Sequence, residues 1–305
     1  MISIIMSAYN EKEEEIRAAL DSMLNQTFKK FELILVVDNP SNKMIIKVAH
    51  EYKEKDNRLV IILNEKNLGL ASSLNKAISI AKFPVIARMD ADDYSYTNRL
   101  EVELSAIKRG ADMVCSKFRV VDGDKKFLKE SLSLPKTSKK MRQILKFKNI
   151  ISHPTVMIRK RVLEEANGYS DLKIIEDYEL WYRLSLMNID IVGINEVLLD
   201  YTVRDDSMTT SNYYFGHMAE KYVKAEIKKN TIKKVNNDNY EKWYGQNKKW
   251  EEHYNNYAKK YYTLINKWPQ YGFSKYFSLI HIILIEPRIS KIFLSTIITN
   301  ILRKS

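Results

Sequence analysis

Three carboxylates stand within four positions at Asp90-Ala91-Asp92-Asp93, immediately after the apolar run Val85-Ile86-Ala87 and its successors Arg88-Met89. An apolar run that gives way abruptly to acidic residues reads as a buried strand whose end leaves the core. Side chains at alternate positions of an extended segment point the same way, so Asp90 and Asp92 can converge on one point. A hard divalent cation, Mg²⁺ or Mn²⁺, would relieve their repulsion there and accept phosphate oxygens as further ligands. A solvated turn rich in Asp is the competing reading. A second acidic pair, Glu176-Asp177, opens a helical stretch running to Leu184. Taken alone, Asp177 reads as a helix-start carboxylate, favoured there by the helix dipole.

Such side chains need a scaffold, and the first half of the chain supplies an alternating one. Strand character is expected at residues 2–7, 33–37, 59–63, 85–89 and 113–116, and helical spacing at 13–24, 43–53, 70–80 and 98–108. Strands separated by helices make an α/β fold, a parallel sheet with helices on both faces, and such sheets bind ligands at the carboxyl edge of their strands. No G-x-G-x-x-G and no G-x-x-x-x-G-K-[ST] occurs anywhere. Without a glycine-rich phosphate cradle, a metal at Asp90 and Asp92 would have to neutralise much of any bound phosphate.

The bulk composition narrows the class further. With 305 residues, 45% hydrophobic and 29% charged, the chain is that of an ordinary folded protein rather than a disordered one. Its net charge of +12 calls for an anionic partner or surface. The single cysteine, Cys115, lies in the apolar run Met113-Val114-Cys115 and reads as a packed core thiol in a reducing, cytoplasmic compartment. The amino terminus reads as a first buried strand and not as a secretory leader. No apolar run reaches the roughly 18 to 20 residues that a spanning helix needs.

After Gly123 the rhythm changes. Residues 125–148 read as a basic loop with a short helix, 150–158 as a strand, and 161–166 as a helix stopped by Asn167-Gly168. Short strands at 191–194 and 197–203 are expected to close a catalytic domain of residues 1–205. Residues 206–305 hold seventeen Lys/Arg against eight Asp/Glu, with Tyr, Trp and Lys interleaved and apolar runs at 277–285 and 289–302. Basic, aromatic-rich helices of this kind suit an anionic membrane surface. The alternative is a helical appendix packed on the sheet domain or on a second subunit of a homo-oligomer.

The ordered set Ser7-Ala8-Tyr9-Asn10-Glu11, Leu24-Asn25-Gln26-Thr27-Phe28, Val36-Val37-Asp38, Asn67-Leu68-Gly69-Leu70 through Asn75, Asp90-Ala91-Asp92-Asp93 and Glu176-Asp177 resembles the family-2 glycosyltransferases with a GT-A fold. The likeness covers about residues 1–205, and its specificity lies in the order of motifs that are individually weak. Ser152-His153-Pro154-Thr155, Gly168-Tyr169 and the run from Glu176 to Trp181 look like the variant that builds bacterial capsular or other surface polysaccharides.

The resemblance implies that Ser7, Tyr9, Asn10, Glu11, Asn67 and Gly69 lie about the donor nucleotide. Asp38 would bond the base, Arg88 and Asp90 would face the nucleotide, Asp92 would hold the metal, and Asp177 would be the catalytic base. Asn39-Pro40-Ser41 departs from the Asp-Gly-Ser usual in the family, which leaves the base-binding loop open. Chemistry favours the same division: a Lewis acid stabilises the leaving diphosphate, a base takes the acceptor proton, and two separated carboxylate centres supply both.

Weaker candidates are Arg204 for the diphosphate, and Glu176, His153 and Trp181 for the acceptor. A structural His and a core Trp are the alternatives. The expected function is therefore an inverting, metal-dependent transfer of a sugar from a nucleotide-diphosphate donor, a UDP-sugar, to a lipid-linked or oligosaccharide acceptor at the inner membrane face. Asp93 is expected to orient its neighbours or anchor the following helix. A nucleic-acid-binding protein is the rival from another class, but no zinc spacing or RNA-binding signature supports it.

Overall fold

The computed structural model describes residues 1–203, 213–230, 233–252 and 255. Its first half runs β1 (Ile2–Ala8), α1 (Glu13–Leu24), β2 (Phe31–Val37), α2 (Lys43–Lys55), β3 (Leu59–Leu63), α3 (Leu70–Ile80) and β4 (Val85–Asp90). These elements follow the sequence pattern closely because each is encoded locally. The strands are near-continuous apolar runs, as a sheet buried on both faces requires. The helices carry one apolar stripe each, and α2 is capped by Asn42, whose side chain accepts from the Ile45 amide at 3.1 Å.

After β4 come β5 (Tyr94–Ser95), α4 (Arg99–Lys108), β6 (Met113–Val121), β7 (Phe127–Glu130), α5 (Ser138–Leu145), β8 (Val156–Arg159), α6 (Lys160–Glu165), α7 (Glu176–Leu186) and β9 (Ile191–Thr202). Here the expectation needs correction. The nine strands form one mixed sheet in the order β3-β2-β1-β4-β8-β6-β9-β5, with β7 paired to β6. Strands β1 to β4 are parallel neighbours. Strand β8 runs antiparallel between β4 and β6, and β6 and β9 are parallel. The strand expected over 150–158 is largely loop and a 3-10 turn, His153–Thr155, because Pro154 cannot donate to a ladder. The two short strands expected at 191–194 and 197–203 are one strand, β9, with a register shift opposite Ser116 and Lys117.

Alternation along the strands sorts the core into two layers. Ile2, Ile4 and Met6 of β1, with Leu33, Leu35 and Val37 of β2, meet α1, α2 and α4 on one face. Ile5, Ile34, Val36 and Ile86 meet α3, α5, α6 and α7 on the other. Cys115 is fully buried in that second layer. Because β1 to β4 are parallel, their carboxyl ends share one rim, and Ser7 lies opposite Asp90 in the ladder.

Two further helices follow: α8 (Tyr213–Asn230) packs on α7, and α9 (Asn237–Asn247) packs on α8. Tyr178 and Tyr182 of α7 join Tyr222, Val223 and Tyr240 in an aromatic cluster, and the Val235 amide donates to Glu179 at 3.1 Å. Several of the described aromatics of the basic carboxyl-terminal region, Tyr222 and Tyr240 among them, are thus packed in a cluster shared with α7. The apolar runs 277–285 and 289–302 lie outside the described residues. Among the described residues no helix is long and apolar enough to cross a membrane.

Candidate active site

The acidic cluster at the end of β4 is held by its strand and by a turn. Arg88 and Asp90 project to the same side of β4 and form an ion pair, with Arg88 almost wholly buried. Asp90 ends the strand and Ala91-Asp92 are a turn, so the carboxylates converge through the turn and not by strand alternation. Oxygen atoms of Asp90, Asp92 and Asp93 all lie within 4.8 Å of one another.

Asp93 is buried and accepts from the Thr202 amide at 2.8 Å, which ties the cluster to β9 rather than to the following helix. Its Oδ2 is buried without a hydrogen-bond partner, as is Nε of Arg88. Burial and the neighbouring charges of Asp90 and Asp92 push the Asp93 carboxyl well above the usual range. All-oxygen donors with one buried oxygen unsatisfied fit a hard divalent cation.

Two residues that sequence reasoning missed steady this loop. Thr202 Oγ1 donates to the Asp92 carbonyl at 2.7 Å. Lys125, in the left-handed region at φ 62°, brings Nζ to 2.9 Å from Thr202 Oγ1 and 3.3 Å from that carbonyl. Neither carries a local signal, because the contacts span 33 and 77 residues of chain.

Around the same rim, the β1 exit presents Ser7, Tyr9, Asn10 and Glu11. Tyr9 and Asn10 are exposed, the Tyr9 amide donates to Glu11 at 2.7 Å, and Asn39 donates to Asn10 at 2.7 Å. Asp38, expected to bond the base, directly follows β2. It is buried, and its two oxygens accept from Asn64 at 2.7 Å, the Leu68 amide at 2.8 Å and the Gly69 amide at 2.9 Å. These bonds shape the loop leading to α3. Gly69 begins that helix at φ 83°, a conformation only glycine adopts freely. Asn67 accepts from the Gly69 amide at 2.9 Å, so Asn67 and Gly69 stay exposed on the rim.

Across from β4, the start of α7 contributes Glu176 and Asp177. Asp177 Oδ2 accepts from Asn149 at 3.0 Å and Oδ1 from the Tyr178 amide at 2.6 Å. It keeps some surface open to solvent, yet the surrounding protein desolvates it enough to push its carboxyl up to about 6, against the pull of those two bonds. Burial, then the charge of Asp177, pushes Glu176 up to about 8. Arg88 and Asp90 act electrostatically on both carboxylates, Arg88 lowering and Asp90 raising their pKa. The fold therefore brings together acidic groups separated by more than eighty residues of sequence.

His153 and Trp181 stand behind this pair. His153 Nε2 lies 2.8 Å from the Tyr169 hydroxyl and Nδ1 4.0 Å from Glu176. Burial, helped by the charge of Arg88, holds its imidazole well below the ordinary value and so neutral. Trp181 has no exposed surface and packs edge-on to His153 at 5.9 Å and to Tyr169 at 6.5 Å. A ring with no open face cannot stack on a sugar, so its place is in the core. Glu176, 7% exposed, is likewise too enclosed to present itself freely to an acceptor. Arg204 lies outside the described residues.

A cavity of about 360 Å³ opens beside Asp177, lined by Ser116, Phe118, Ser131, Leu134, Asn149 and Tyr201 among others. Asn149 thus links the cavity wall to the Asp177 carboxylate. Tyr201, raised by burial and by the β4 carboxylates, links it to the acidic cluster.

Residues 3–166 match the family described as Glycosyl transferase family 2. The chain is 35% identical over 235 residues to the O-antigen biosynthesis glycosyltransferase WbnJ of Escherichia coli, covering 76% of this chain and 91% of that one. It is 28% identical over 213 residues to the UDP-Glc:alpha-D-GlcNAc-diphosphoundecaprenol beta-1,3-glucosyltransferase WfaP of Escherichia coli, covering 70% and 81%. Its fold is similar to that of S. aureus TarS 1-349 solved in complex with UDP, with a TM-score of 0.55 and 22% identity over 73% of this chain and 64% of TarS, less than two thirds of that structure.

Proposed function

Because the chain belongs to glycosyl transferase family 2, we propose that it moves a sugar, by an inverting displacement, from a UDP-sugar to a lipid-linked saccharide during assembly of a surface polysaccharide. That it is a glycosyltransferase with the GT-A architecture is the common ground of the family match and the fold. The finer reading draws support from one observation above all: the half-exposed carboxylates at the end of β4 face a desolvated carboxylate pair at the start of α7, with Arg88 acting on both. UDP bound by TarS and the diphosphoundecaprenol acceptor of WfaP bear on donor and acceptor class.

In this reading the donor lies along the rim formed by Tyr9 to Glu11, Asn67, Gly69 and the β4 turn. Asp92, with Asp90 and Asp93 beside it, would hold Mn²⁺ or Mg²⁺, which when bound supplies charge neutralisation for the diphosphate. Asn149 and the Tyr178 amide orient the Asp177 carboxylate, and Asp177 takes the proton of the acceptor hydroxyl. A base with a carboxyl near 6 is ionised at neutral pH yet a better proton acceptor than an ordinary carboxylate. Glu176, its proton retained, keeps a second negative charge from forming beside Asp177. The acceptor enters through the cavity beside Asn149, and the reaction takes place at the cytoplasmic face of the membrane.

A thermal-shift series of nucleotide sugars with and without Mn²⁺ tests this, since a ligand that binds the native state raises its apparent stability. Stabilisation by one UDP-sugar only with metal, lost in Asp92→Asn, is the expected result. Equal stabilisation by all nucleotides without metal would sink the donor assignment.

A further inference from the structure

Two stretches that lead into the wall of the cavity beside Asp177 carry exposed apolar residues, and both belong to the chain segment richest in positive charge before residue 206. Residues 122–149 carry nine Lys/Arg against three Asp/Glu, whereas the other residues up to 205 carry 24 against 27. One stretch is strand β7, which among the described strands pairs only with β6 and whose four residues are all exposed. Phe127 is 54% exposed, Leu128 52% and Leu132, on the cavity wall itself, 57%. The other holds Phe147, 58% exposed, two residues before the wall residue Asn149 and flanked by Lys146 and Lys148.

These side chains are held out by structure. The turn into β7 is built on Asp122, whose carboxylate accepts from the Asp124 amide at 3.0 Å and the Lys126 amide at 2.9 Å. The hairpin ladder then fixes Val120 opposite Lys129 and Val121 opposite Phe127. A single exposed Leu or Phe is ordinary, but several beside one cleft, interleaved with Lys, form a patch. Lysines around apolar side chains are what an anionic bilayer attracts: the rings enter the headgroup boundary while the ammonium groups meet the lipid phosphates.

We propose that the β6–β7 hairpin, with the turn at Phe147, seats the enzyme on an anionic lipid surface so that a lipid-carried acceptor enters the adjacent cavity from the membrane side. This rests on the reading of the acceptor as lipid-linked and assigns membrane contact to the catalytic half of the chain, apart from the basic helices that follow it.

The test places an environment-sensitive fluorophore on the full chain at Leu128→Cys, with Glu54→Cys on α2 as the control, Cys115 being buried. Vesicles of phosphatidylcholine with phosphatidylglycerol should blue-shift the label at 128 and leave that at 54 unchanged. Vesicles of phosphatidylcholine alone should shift neither. Combining Phe127→Ser, Phe147→Ser and Lys126→Gln should weaken the anionic-vesicle titration read at 128 by roughly ten-fold or more. A label at 128 that does not respond overturns the proposal, whether or not the chain sediments with the vesicles. So does a response to single-stranded nucleic acid or an acidic protein but not to lipid. Sugar transfer to a water-soluble acceptor, measured alongside, separates the two claims: transfer without a shift removes only the docking surface, and a shift without transfer removes only the catalytic reading.

Discussion

The carboxylates at the end of β4 and those at the start of α7 lie in one site but in opposite environments. Asp90 and Asp92 stand half-exposed on the rim with Arg88 beside them, ready for a counter-charge from solution. Glu176 and Asp177 are set among packed protein, so their charge is disfavoured and their protons held longer. The first environment suits the holding of a cation and a diphosphate, the second the movement of a proton. The difference shows how one chemical group takes on two characters when strand-end exposure and helix-start burial are combined.

The largest effect that would break this contrast is expected from Asp177→Asn. Transfer should fall by roughly a hundred- to ten-thousand-fold in turnover, with the donor KM and the metal-dependent thermal shift retained. Since the raised carboxyls make the folded chain bind protons that the unfolded chain has lost, the contribution of this pair to stability declines as pH rises from about 4 towards 8. Asp177→Asn should flatten that decline and raise the melting temperature at pH 8. Unchanged turnover would remove Asp177 from the chemistry.

Asp92→Asn should act on the other side of the comparison. A loss of roughly a hundred-fold in kcat/KM is expected, together with loss of the response to added Mn²⁺, while the pH profile keeps its shape. A variant that still responded fully to metal would place the cation elsewhere.

A third prediction concerns the support of α7. Gly168 sits at φ 69°, and a Cβ there would collide with Asn75 Oδ1, which itself accepts from the Tyr169 amide at 2.9 Å. Gly168→Ala should cost about 1–3 kcal/mol in denaturant unfolding, enough to loosen the Tyr169–His153 contact behind Glu176. Stability equal to wild type would show that this clamp is slack.

The smallest effect is expected from Asn149→Ala, which removes a bond that favours the ionised form of Asp177. If Asp177 is the base, the acid limb of the kcat/KM profile is expected near pH 6, where burial places its carboxyl; in the variant it should move upward and lower the rate at pH 6 several-fold, with little change at pH 8. A limb that stays in place would detach Asn149 from the base.

Much of the donor half was legible in the sequence. Helices 13–24 and 70–80 and strand 59–63 were expected at the bounds the structure gives them. Each is specified by a local period, and parallel strands buried on both faces read as unbroken apolar runs. Beyond β4 the signal fades. Strands β5 and β7 are two and four residues long, too short for alternation to register. Strand β8 owes its antiparallel place to partners 41 to 74 residues away. Asn149, Lys125 and Thr202 act through contacts that leave no periodic trace.

The burial of Trp181 illustrates the limit from the other direction. Its spacing with Leu180 and Leu184 suited a core residue, but its nearness to Glu176-Asp177 suggested an acceptor platform. Only the packing of Tyr169 and His153 against it decides for the core. Asp38 is similar: its position after β2 was readable, while the three donors that hold its carboxylate were not.

By itself the sequence determined the alternating scaffold, the ordered motifs and the acidic strand end, because strand and helix periods and turn chemistry are written in neighbouring residues. Tertiary structure alone decided that the sheet is mixed, that the start of α7 faces the end of β4, and that Glu176 and Asp177 are desolvated there. Those outcomes depend on which distant surfaces exclude water together, and burial of that kind belongs to no single stretch of chain.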